Sequence, residues 1–180
     1  SISFGTKTVF RSGEVNYIAM TYDANAQKVV IVYRDNANNY YGTGIVGTVS
    51  GTNISFGSST PFEVGNTQYI GIAYDANAQK NVIAYRDGGN SNYGTALVGT
   101  VSGTSISFGP HAVFSSADCE SIAVAYDSSA QKVVVACRDN GFSGYGVARV
   151  GTVTGTTISF GTATVFEGAT INYTSAVYDT

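Results

Sequence analysis

Short apolar runs alternate with short polar ones along the whole chain, and no run carries the 3.6-residue period of a helix. Residues 69–74 show the rhythm: Ile70, Ile72 and Tyr74 fall on one face, Gly71 and Ala73 on the other. A two-residue period belongs to a strand, and small residues on the second face suit a strand covered on both sides. The pattern predicts strands over residues 54–62, 69–74, 81–86 and 95–101, all rich in Val, Ile, Tyr, Phe and Thr. Residues 75–80 read as a hairpin turn, because Asp75 and Asn77 can bond to their own backbone there. Ser102-Gly103-Thr104 is a tighter turn and residues 88–92 a longer polar loop. The longest crossing, residues 63–68, is expected to carry the chain from one sheet to the next.

The same unit recurs with a fixed step of 52 residues. Ile-Ser-Phe-Gly begins at Ile2, Ile54, Ile106 and Ile158, and Tyr-Asp at Tyr22, Tyr74, Tyr126 and Tyr178. The chain divides into repeats 1–52, 53–104 and 105–156 and a partial repeat 157–180, all in one repeat domain. Regular copies of this kind stack on their neighbours. The expected fold is all-β: a β-propeller-like array of four-stranded antiparallel blades, with a β-trefoil-like repeat as the alternative. Three full units leave 24 residues, room for two further strands. Propellers typically need at least four blades, so ring closure is expected only from a longer repeat chain or from a homo-oligomer. The recurring aromatics (Tyr22, Tyr74, Tyr126 and Tyr178; Phe4, Phe56, Phe108 and Phe160; Phe10, Phe62, Phe114 and Phe166) read as packing between units.

Charge narrows the function. The net charge is −3 and only 12% of residues are charged, which leaves no basic stripe for nucleic acid. No apolar stretch nears the ~20 residues that would insert in a membrane. His111 is the one histidine, and its repeat equivalents are Lys7, Ser59 and Ala163. The repeat therefore does not ask for a His, and His111 reads as a surface residue. No nucleophile, metalloprotease or phosphate-loop motif is present, so no enzyme is expected and no catalytic or metal-binding residue is assigned.

The repeated polar positions are the candidates for binding. Arg34-Asp35, Arg86-Asp87 and Arg138-Asp139 each open a loop that carries amides and ends in an aromatic. Asn38 and Tyr41, Asn90 and Tyr93, and Tyr145 complete the set, the third loop keeping only Asn140 of its amides. Amides and carboxylates bond sugar hydroxyls, and a tyrosine face covers a sugar ring. The same residues also suit plain turns and local Arg–Asp pairs. No cofactor is expected. Calcium is a minor possibility at the Asp-Asn loops, which hold one Asp each. Cys119 and Cys137 flank the turn of the third repeat and are expected to form a disulfide across the hairpin, hence an oxidising compartment.

Strings such as Val98 to Gly109 (VGTVSGTSISFG) and Ala84 to Thr95 (AYRDGGNSNYGT) resemble tandem repeats of large surface and tail-fibre-like proteins of marine microbes and their phages. The resemblance covers essentially the whole chain. It implies extracellular display and attachment, without a reaction and without assigned binding residues. The expected function is a multivalent, lectin-like module for glycan or another cell-surface ligand. The alternative is a self-assembling fibre or filament segment.

Overall fold

A computed structural model describes residues 4–179. Ser1, Ile2, Ser3 and Thr180, and with them the start of the first Ile-Ser-Phe-Gly copy, lie outside the described residues.

The described chain is antiparallel β-structure without an α-helix. The structural units cross the repeat boundaries: the first unit gives β1 (Val15–Asp23), β2 (Lys28–Asp35), β3 (Tyr41–Ser50), β4 (Asn53–Phe56) and β5 (Thr60–Glu63). The second gives β6 (Thr67–Asp75), β7 (Lys80–Asp87), β8 (Tyr93–Ser102) and β9 (Ser105–Phe108). There follow β10 (Ala112–Asp127), β11 (Lys132–Asp139), β12 (Tyr145–Thr154), β13 (Thr157–Phe160) and β14 (Thr164–Thr170). Within each unit the strands form a meander, β1-β2-β3-β4 in the first. Asp23, Asp75 and Asp127 close the first hairpin turns by accepting the backbone N–H groups of Ala26, Ala78 and Ala130, each at 2.9 Å. Gly103 sits at φ +61° in the tight turn after β8, a backbone that side chains disfavour.

The outer strand differs from expectation. It is two short pieces, because β4 and β5 both pair with β3, at opposite ends. Residues 64–66 then lead to β6, but Ala117 and Asp118 replace Gly65 and Asn66 in the next repeat. There the chain stays extended, and β10 pairs first with β8 and then with β11. The result is a five-stranded sheet and a nine-stranded sheet. Both stay open, so the chain forms neither a closed ring nor a closed barrel.

The core lies between repeats. Val30, Val32 and Val46 meet Ile70, Ile72, Ile83 and Leu97 at the first junction. Val82, Ala84 and Val98 meet Ile122, Val135 and Ile158 at the second. Burying each such side chain stabilises by ~1.5–3 kcal/mol. The alternation of β6 is explained: Ile70 and Ile72 face the first repeat, while Gly71 lies so close to the third that a Cβ would sit 3.0 Å from Val124 Cγ2.

Not all recurring aromatics are core. Phe62 and Phe114 are buried, but Phe4 (92% exposed), Tyr22 (56%) and Phe166 (56%) belong to end units without a neighbour. Residues 4–10 and 173–178, the repeat equivalents of the expected strands 54–62 and 69–74, likewise form no strand. An outer strand takes its ladder from a β3-type strand and an inner strand from a β2-type strand, and neither end has one.

Cys119 and Cys137 form no disulfide; both are free, buried thiols with sulfurs 3.2 Å apart. The bulge between Glu120 and Ala123 shifts the register so that Cys119 faces Asp139, not Cys137.

Candidate functional site

Strands β1, β6 and the second half of β10 pack side by side along the centre of the stack. Each has a bulge near its start, between Asn16 and Ala19, Gln68 and Gly71, and Glu120 and Ala123. The bulged residues Tyr17, Tyr69 and Ser121 hold φ of 51°, 49° and 49°. A left-handed backbone costs a non-glycine residue ~1–3 kcal/mol, and such strain gathers where a side chain must be aimed.

All three side chains are aimed at one recess. Tyr17, Tyr69, Ser121 and Tyr173, at one repeat position, line a space of about 230 Å³ together with Ile18, Ile70 and Ile122. The Tyr17 and Tyr69 rings lie 5.2 Å apart. The Arg34 guanidinium stacks 4.8 Å from the Tyr17 ring and 5.3 Å from that of Tyr40. Arg86 lies 6.0 Å from the Tyr69 ring. The structure thus gathers Arg34, Tyr17, Tyr69 and Arg86 into one row at the loop end.

The arginines differ in charge balance. Arg86 binds Asp118 through two bonds of 2.6 and 2.9 Å and also meets Gln68. Arg138 meets Glu120 at 2.5 Å. Arg34 donates to the Asn36 amide at 2.9 Å and makes no ion pair among the described residues. Burial, and then the charge of Glu120, raises the Tyr69 phenol above its ordinary value and keeps it a neutral donor.

The other candidate residues are placed elsewhere. Asp35, Asp87 and Asp139 are all buried, Asp35 at the outer end of the first unit beside Arg11. Asp87 and Asp139 turn back on their own loops, accepting from Gly89 N at 3.0 Å and Gly141 N at 2.9 Å. Asn38 and Asn90 make turns through their backbone, linking Asp35 O to Tyr41 N and Asp87 O to Tyr93 N. Asn90 is exposed, and Tyr41, Tyr93 and Tyr145 are half-buried at the heads of their strands. In the third loop, Asn140–Phe142 is a single 3₁₀ turn.

The sequence reading missed the tyrosines of the recess. Their signal was Tyr17, Tyr69 and Tyr173 at one repeat position, which looked like ordinary strand starts. It also missed a second cluster, in which Glu63, Asp87 and His111 bring three ligand-type atoms within 4.8 Å of one another. Cys119, Cys137 and Asp139 do the same in a fully buried setting.

No protein-family model matches the chain, and no curated protein matches it either. No helix is long and apolar enough to cross a membrane among the described residues.

Proposed function

We propose that the chain is a non-catalytic, surface-displayed module that binds carbohydrate at the loop end of a propeller-like stack of blades. The observation that carries this reading is the shared recess. Strained backbone aims two tyrosines into it, and Arg34 stands beside them with its charge uncompensated. Tyrosine faces cover the apolar side of a sugar ring, and the guanidinium supplies donors to its oxygens. The blade-like reading is supported by the four-stranded meander of each repeat and by the face-to-face packing of successive meanders; further copies would complete a ring.

Glycan-array capture followed by titration of the best ligand tests the site. Ser121 already holds the bulge backbone of Tyr17 and Tyr69, so Tyr17→Ser with Tyr69→Ser keeps the fold. Capture should fall at least tenfold in that variant and be unchanged when Asn90 and Tyr93 are replaced together. The reverse result would move the site to the separate loops, and no capture of any glycan would remove the reading.

One observation favours self-assembly as a second reading. Ile18 (50% exposed), Met20 (63%) and Tyr22 (56%) are open on β1, whereas their equivalents Ile70 and Ile72 are buried against the preceding unit. A unit from another copy would cover them. Light scattering decides: a mass that rises with concentration and returns to the monomer with Met20→Lys supports assembly through this face.

A further inference from the structure

In each unit a buried aspartate meets the preceding outer segment, and two of the three are neutralised by arginine. Asp35 is paired with Arg11 at 3.0 Å, and Asp139 with Arg149 at 3.0 Å. In the second unit the position of Arg11 is held by Glu63. Asp87, only 5% exposed, makes no ion pair among the described residues. Two carboxylates therefore share a buried place, with His111 as the one basic side chain paired with them among the described residues. Burial, and then the charge of Glu63, raises the Asp87 carboxyl above its ordinary value.

The imidazole has a fixed orientation. Its Nε2 lies 3.0 Å from the carbonyl oxygen of Phe62, which can only accept, so Nε2 carries a hydrogen. Its Nδ1 faces Glu63 Oε2 at 3.3 Å. The Tyr85 hydroxyl donates to the same Oε2 at 3.1 Å. The same hydroxyl lies 3.4 Å from Nδ1, and its single hydrogen can serve Nδ1 or Oε2 but not both, so two acceptors 3.3 Å apart compete for it unless a proton or a metal cation lies between them. A histidine that donates one ring N–H to a carbonyl while aiming the other nitrogen at carboxylates has the outer-shell arrangement of a metal ligand.

We propose that Glu63, Asp87 and His111 Nδ1 bind one divalent transition ion of the zinc or manganese kind. A divalent cation balances both carboxylates with the ring neutral, whereas a proton on the ring would balance only one. Bonds of about 2.0–2.2 Å to one ion set its ligand atoms roughly 3–3.5 Å apart, and the Nδ1–Oε2 separation of 3.3 Å matches. Imidazole with carboxylate suits these ions better than calcium. The half-exposed His111 side chain leaves a path for the ion. The cysteine cluster is the weaker candidate, because Asp139 there is already neutralised by Arg149 and accepts a hydrogen bond from Ser115.

The test is titration of the EDTA-treated protein with Zn²⁺, Mn²⁺ and Ca²⁺ by calorimetry, alongside ¹⁵N NMR of its one imidazole. Expected are one Zn²⁺ or Mn²⁺ per chain, weaker Ca²⁺, a zinc-induced shift of the Nδ1 resonance, and a higher Tm. Glu63→Gln and His111→Ala should each abolish uptake, while Cys119→Ser with Cys137→Ser should retain it. Glu63→Arg recreates the Arg11–Asp35 pair of the first unit; it should abolish uptake yet raise the metal-free Tm. The proposal is overturned if no ion binds at one per chain, if uptake survives Glu63→Gln, or if it disappears with the cysteines.

Discussion

The hydroxyl of Tyr74 accepts a hydrogen bond from the backbone N–H of Asn25, 3.1 Å away in the turn of the preceding repeat. Tyr126 repeats the contact with Asn77 at 3.1 Å, whereas Tyr22 is more than half exposed with no earlier turn to meet. Tyr74→Phe and Tyr126→Phe should each lower the unfolding free energy by ~0.5–1.5 kcal/mol, and Tyr22→Phe should leave it unchanged. Urea denaturation of the three variants checks this.

Gly94 is where the third strand of a unit touches the aromatic of its outer strand. A Cβ there would lie 2.5 Å from the Phe114 ring and 2.9 Å from Cys119 Sγ. Gly94→Ala should cost at least ~1–3 kcal/mol by overpacking. Gly168, with nothing near its missing Cβ, is the control: Gly168→Ala should leave the melting temperature within a degree or two.

Arg149 stands where the other units carry Ile45 and Leu97, and it neutralises the fully buried Asp139. Arg149→Leu should cost ~3–5 kcal/mol, because it strands a buried charge. Adding Asp139→Asn should recover most of that loss. A double-mutant cycle in guanidinium measures the coupling, and independent, additive losses would refute it.

The two thiols lie inside the second junction. The hydrogen bond to Cys119, and then burial, push the Cys137 thiol well above its ordinary range. Neither cysteine should react with a thiol reagent in the native protein at pH 8, and both should react after denaturation. Because the folded value is raised, the associated stability is present below the unfolded thiol's value and is lost as pH rises above roughly 8.5. Mass spectrometry of protein isolated without reductant should find both thiols free.

Much of the fold was legible because it rests on neighbouring residues. The alternation in Ile70, Ile72 and Tyr74 and the Asp at each hairpin turn act within a few positions. Less legible was anything set by stacking. The split of β4 from β5, the unbroken β10 and the missing end strands depend on which strand lies alongside. The bulge at Tyr17 and Tyr69 looks like ordinary strand sequence, so their convergence on one recess was hidden. Glu63 and His111 lie far apart along the chain and meet only because successive units pack face to face. Arg149 was also missed, although an arginine at a position otherwise Ile45 and Leu97 is a sequence signal for a buried charge that needs a partner.

The uninterrupted β10 also sets how the molecule comes apart. Its first half is laced to β8 and its second to β11, so the second and third units share one hydrogen-bonded ribbon. Between the first unit and the second the described residues show no shared strand: they are joined by residues 64–66, by a backbone bond from Thr67 N–H to the Tyr40 carbonyl at 3.1 Å and by side-chain contacts. Amide protons along β10 should therefore be released together, in the slowest class of exchange. A pulling force or a protease would find its earliest opening near Gly65, freeing the first unit while the other two still hold.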